Sequence, residues 1–119
     1  MDDGIWKPSG DVGTGSTLIV SDVVPLGASE ERETVIETRA ISTIGIDIIA
    51  DRDCTVKVVR LPTGVSTQVG AESLLGSVVA GAPAFFSYSA LLCPAVKIVV
   101  ANTGGAPMTS FGLYVRGGA

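Results

Sequence analysis

The chain contains no histidine. That removes the commonest general base, the commonest metal ligand and the usual partner of a nucleophilic serine or cysteine. Aromatic residues are 5% of the sequence, and Trp6 is the single tryptophan. Aromatic platforms of the kind that sugar-binding grooves use are therefore scarce. Charged residues are 17%, against about a quarter in an ordinary soluble domain. Only eight are basic, they are never clustered, and the net charge is −4. Nucleic-acid binding displaces phosphate counterions with Lys and Arg, so no nucleic-acid partner is expected. An acidic membrane surface would repel the chain, and no apolar run approaches the roughly 20 residues that span a bilayer. No membrane partner is expected either.

Two cysteines, Cys54 and Cys93, are too few for a disulfide scaffold. Both sit beside apolar residues and read as buried free thiols; a single disulfide is the other reading. The N-terminus, Met1-Asp2-Asp3-Gly4, lacks the basic-then-apolar order of a signal peptide. Synthesis inside the cell is the expectation.

What is present is apolar: 46% of 119 residues, enough for one core in one domain. Charge is unevenly placed. Residues 1–53 hold eleven acidic groups against four basic ones, a net of −7, while residues 54–119 hold one against four, a net of +3. Two readings stand: the halves interleave and the charges mix, or they meet complementary charge on another subunit.

Residues 1–16 (MDDGIWKPSGDVGTGS) are dominated by Gly, Pro, Ser and Asp and show no period. They read as an extended N-terminal arm. Ile5 and Trp6 do not suit a free tail, because a large apolar ring gains nothing unless it docks. Trp6 either folds back on its own domain or anchors the arm on a neighbour. Ile5, Trp6 and Lys7 are the candidate partner-binding residues.

Residues 17–119 read as the folded domain. Thr17–Val24 is rich in β-branched residues, and Pro25-Leu26-Gly27 breaks it. Thr34–Ile41 reads as extended. In Thr43–Ala50, Ile44, Ile46 and Ile48 fall at period two, the mark of a half-buried strand. Cys54, Val56 and Val58 repeat that pattern after the turn Asp51-Arg52-Asp53, so a hairpin is expected there. Residues 65–82 are less regular: Val65–Val69 as a short strand, Gly70–Gly76 as loop or one helical turn, Ser77–Ala80 as extended. Ala84–Ala90 alternates Phe86 and Tyr88 against Phe85, Ser87 and Ser89, with core packing the better account of Phe85 or Phe86. Leu91–Pro94 interrupts. Val96, Ile98 and Val100 point inward around Lys97. After the turn Asn102-Thr103-Gly104-Gly105, Phe111, Leu113 and Val115 share a face. Seven to nine short strands, with turns about every ten residues and no helical period, predict an all-β antiparallel sandwich or barrel.

The search for chemistry finds little. Gly10–Ser16 (GDVGTGS) is Gly-rich, but no lysine follows its last glycine and a strand, not a helix, comes next. Asp47, Asp51 and Asp53 offer clustered carboxylates to a hard cation. Their spacing does not match a calcium loop, and Arg52 stands among them, so an acidic hairpin tip is the favoured reading. Paired carboxylates for glycoside hydrolysis are not suggested by acids that fall mostly in loops and the arm. No catalytic residue and no cofactor is expected, and the chain reads as a non-enzyme.

The stretch from Pro83 to Gly117 orders a Pro-aromatic strand (PAFFSYSA), a Pro-bearing corner (LLCPAVKIVV), an Asn-Thr-Gly turn (ANTGG) and a closing strand ending in Arg (FGLYVRG). This resembles small jelly-roll proteins of tailed bacteriophages, including head decoration or cement proteins. The resemblance implies a jelly roll of about eight strands, commonly a homotrimer, on the capsid surface of a virion. It implies the major capsid protein as partner and shell stabilisation as the function. The alternative is a receptor- or carbohydrate-binding sandwich module of a tail fibre or cell-surface protein.

Overall fold

A computed structural model of the chain describes residues 5–6 and 17–118. The strands are β1 (Ile5–Trp6), β2 (Thr17–Asp22), β3 (Glu31–Glu37), β4 (Thr43–Ala50), β5 (Cys54–Leu61), β6 (Glu72–Val78), β7 (Ala84–Ser89), β8 (Ala95–Asn102) and β9 (Phe111–Gly118). They form two sheets, ordered β1-β3-β8-β5-β6 and β2-β9-β4-β7. β1 alone pairs in parallel, on the edge of β3. The other eight are antiparallel throughout. Their pairs β2·β9, β3·β8, β4·β7 and β5·β6 are nested, as in one long hairpin rolled into two facing sheets. That is the jelly roll.

The period-two pattern builds the core. Ile44, Ile46 and Ile48 of β4, and Leu113 and Val115 of β9, are buried from one sheet. Ile36 of β3, Val56 and Val58 of β5, and Val96, Ile98 and Val100 of β8 are buried from the other. Phe86 and Tyr88 pack against this cluster and Phe85 faces outward. Both cysteines are buried and free, and burial raises the thiol pKa of Cys54. Gly76 in β6 is a position of close approach: a Cβ there would lie 2.7 Å from Phe86 Cε1, so glycine lets the β7 ring seat against the opposite sheet.

The five-stranded sheet also buries apolar residues on its outer face, among them Val35, Val59, Leu61, Ala95 and Val99. Register places Val99 between Glu33 and Lys57, with Lys97 two residues along. Lys97 pairs with Glu33 at 3.4 Å and Lys57 with Glu72 at 3.3 Å. These lysines stand beside the apolar row in paired registers, and their side chains are largely covered.

Several local expectations fail. β4 and β5 are not a hairpin: β4 lies between β9 and β7, whereas β5 lies between β8 and β6. Sheets pack about 10 Å apart, and a short connection reaches that far as easily as it turns back. The two isoleucine and valine faces therefore meet across the core instead of lying side by side. Val65–Val69 is turn, not strand, and β6 covers 72–78, so 72–76 is strand where loop or a helical turn is expected, while 77–78 is extended as expected. β6 is an edge strand with a bulge against Val56/Lys57, so it shows no clean alternation.

The Asp51–Asp53 arch explains its own acids. The Asp51 carboxylate accepts hydrogen bonds from the Thr109 N–H and hydroxyl and from the Ser110 N–H. Asp53 Oδ1 accepts from the Ala80 N–H at 2.9 Å, and its carbonyl accepts from Thr103. Two crossing loops are thereby tied to the arch. The Thr109 hydroxyl foremost, with the backbone N–H groups, holds the Asp51 pKa below its ordinary value of 3.8. A depressed carboxylate stabilises the fold fully above its unfolded pKa and ceases to as pH falls through the folded value. Asp51→Ala is therefore expected to lower the melting temperature at about pH 7, with the gap from wild type closing in thermal melts taken down to about pH 2.

Candidate functional site

The loops gather at the two ends of the sandwich. One end carries 51–53, 79–83 and 103–110; the other carries 38–42, 62–71 and 90–94. An arginine reaches inward near each. Arg32 pairs with Asp22 and Glu30, donates to the Val24 and Pro25 carbonyls, and lies 5.9 Å from the centroid of Phe111. Arg60 donates to the Leu91 carbonyl at 3.2 Å and lies against the Tyr88 side chain, which favours its charged form.

The second end holds the most unusual local structure. Ala90, Leu91, Leu92 and Cys93 form a tight turn closed by the Cys93 N–H on the Ala90 carbonyl, 3.1 Å. Leu92 has φ of +62°, the conformation that the third corner of a type II turn demands and that glycine or asparagine supplies. Yet the residue is leucine, and it is 93% exposed. Both flanks are pinned. Ala90 and Cys93 are buried, the Thr38 hydroxyl donates to the Cys93 carbonyl at 2.6 Å, and the Thr38 N–H donates to the Pro94 carbonyl at 2.9 Å. Leu91 is exposed as well. Between this tip and residues 38–42 lies an open cleft of about 530 Å³, lined by Thr38, Ala40 and Ile41 on one side and Leu91, Leu92 and Pro94 on the other.

Of the sequence-predicted contact residues, Ile5 and Trp6 form β1, in parallel register with Val35 and Ile36. The backbone at Trp6 is thus hydrogen-bonded to the chain's own β3, two residues before the cleft wall begins at Thr38. Lys7 lies outside the described residues, as does the rest of the expected arm, 1–4 and 8–16. Asp47, Asp51 and Asp53 do not converge: Asp47 is on the outer face of β4, and the other two are spent on loops. Among the described residues, no three His, Cys, Asp or Glu side chains come together to hold a metal. Of five ion pairs among them, one, Glu33–Lys97, joins the acidic and basic halves.

The Leu91–Leu92 tip is the feature that sequence reasoning passed over, reading it as an interruption. The signal was present: an Ala-Leu-Leu-Cys corner between two strands, with no turn-forming residue.

No family model matches the chain, and no curated protein does. Solved structures do. The PBSX exported protein XepA superposes with a TM-score of 0.68 at 18% identity over 94% of this chain. Tripeptidyl peptidase 2 gives 0.67 at 10% identity over 93%. The pre-peptidase C-terminal domain of a Bacillus anthracis collagenase gives 0.52 at 10% identity over 81%, and 87% of that chain is covered. This chain spans 39% of the XepA chain and 10% of tripeptidyl peptidase 2. At these identities the likeness is one of fold.

A leucine that forms no core and strains its backbone is dispensable for folding. An L-residue at positive φ costs about 1–2 kcal/mol and glycine's entropy returns roughly half of that. Leu92→Gly is expected to leave the urea-unfolding free energy unchanged or to raise it by up to about 1 kcal/mol.

Proposed function

We propose that the chain is a non-catalytic structural protein of a bacteriophage particle, and that its work is to decorate the capsid surface and brace neighbouring shell subunits. The carrying observation is the Leu91–Leu92 tip: an exposed apolar pair, held rigid from behind, at a corner where folding alone favours glycine. Strain kept at an exposed site points to a contact made there, and large exposed apolar groups mark protein–protein surfaces. The fold likeness to XepA, a phage-derived protein, favours the phage setting.

In this reading the tip inserts into an apolar depression on the major capsid protein, with the Thr38–Ser42 wall beside it. The chain segment bearing Ile5, Trp6 and Lys7 adds contact from the same end, since Trp6 is in register with Ile36, near that wall. A homotrimer suits a subunit that straddles several shell proteins. The protein is made in the host cytoplasm and resides on the virion, with neither nucleic acid nor membrane as partner.

The test is co-sedimentation with phage heads assembled without this protein. Wild type is expected to bind saturably and, free in solution, to weigh as a trimer. Leu91→Ser with Leu92→Asn keeps the corner's geometry while removing its apolar surface. It should weaken binding at least about tenfold with circular dichroism unchanged. Deletion of residues 1–16 should abolish binding while the domain stays folded. Full binding by both variants would overturn the proposal.

A further inference from the structure

The outer face of the four-stranded sheet presents a row that register defines. Tyr114 of β9 stands opposite Asp47 of β4, and Asp47 opposite Phe85 of β7. One step along, Arg116 stands opposite Gly45. Side chains on a sheet ordinarily stand roughly perpendicular to it; Phe85 and Tyr114 lean over neighbouring glycines. A Cβ built on Gly45 would fall 3.0 and 3.2 Å from Phe85 Cε1 and Cζ, and one on Gly112 would fall 2.9 Å from Tyr114 Cε2. Each ring edge takes the space that a neighbouring side chain would otherwise fill, and both residues stay open to solvent. Phe85 is 62% exposed and Tyr114 38%. Their Cα atoms are two strand spacings apart, about 10 Å. Phe85, Asp47, Thr43 and Arg116 border a shallow cleft of about 340 Å³.

Neither Asp47 nor Arg116 forms an ion pair among the described residues. Among the described residues the face thus offers a carboxylate and a guanidinium without an ion-pair partner, hydroxyls at Ser87 and Thr43, and two exposed aromatic side chains. We propose that this face is a saccharide-binding platform that takes a neutral, linear oligosaccharide across β9, β4 and β7. The C–H face of a pyranose ring packs on an aromatic face, where burial and the negative π cloud both favour it. Its hydroxyls donate to Asp47 and accept from Arg116. Charge selects the class: an anionic ligand meets the Asp47 carboxylate, a cationic one meets Arg116, and a neutral polyol satisfies both. A second copy of the chain fits less well. A stable interface covers about 800 Å² per partner around an apolar centre. Here Leu18, Ile49, Phe85 and Tyr114 are separated by Asp47, Ser21 and glycines. The platform uses no residue of the Leu91–Leu92 tip, so it stands or falls apart from the capsid reading.

The experiment applies the full chain to a printed array of neutral and acidic oligosaccharides, then titrates the best-bound neutral glycan into ¹⁵N-labelled protein. Shift changes confined to β4, β7 and β9 are expected. Phe85→Ala should weaken binding at least about tenfold with the melting temperature retained. Gly45→Val keeps the ring but lifts it from the sheet, and should weaken binding likewise. The idea is lost if no glycan binds at up to about 10 mM, if only acidic glycans bind, or if both variants bind as wild type does. It is equally lost if Phe85→Ala merely turns a dimer into a monomer, which would make a second copy the occupant.

Discussion

The molecule depends on the mutual burial of two inner faces. Each sheet contributes a period-two stripe of isoleucine and valine, and neither stripe has another place to go. Full removal of such side chains from water is worth about 1.5–3 kcal/mol apiece before chain entropy is counted. Once the stripes face one another, the outward positions are released from folding duty. That release lets a sheet face carry exposed rings that lean over glycines, and lets a loop tip carry a bare leucine.

The ends of a sandwich are its weak points, because connections there expose backbone polar groups and open the core to water. This chain seals them with polar groups that serve several loops at once. Arg32 gathers strand, loop and aromatic ring at one end, and Arg60 holds the Leu91 carbonyl at the other. Asp51 and Asp53 fasten the arch to two crossing loops. Buried Asn102 spans a third set, donating to the Gly27 and Ala106 carbonyls and accepting from the Gly104 N–H. Rigid ends make exposed loop residues useful, since a partner does not have to order them first.

The strands of highest apolar regularity were legible because alternation reports a face directly. Thr43–Ala50 and the Cys54, Val56, Val58 face are read from the chain as they occur. β6 was not, because an edge strand with a bulge buries too little to leave a pattern. The outward aromatics were half legible. Alternation separates Phe85 from Phe86, but only coordinates show that Phe85 and Tyr114 lie on one face and lean over Gly45 and Gly112. Ile5 and Trp6 drew attention by composition, and their parallel seat on β3 could not be inferred, since two residues carry no register signal of their own.

By itself the sequence determined that this is an all-β domain with an alternating core, that histidine-based catalysis is closed to it, and that Asn102–Gly105 turns. Those properties follow from local periodicity, from composition and from the turn preferences of single residues. Tertiary structure alone decided that Asp51–Asp53 crosses between sheets instead of closing a hairpin, that the pairs nest as a jelly roll, and that Leu92 stands bare at a strained corner. A three-residue link serves arch and hairpin equally, so only the competition among all strands for partners settles which one forms.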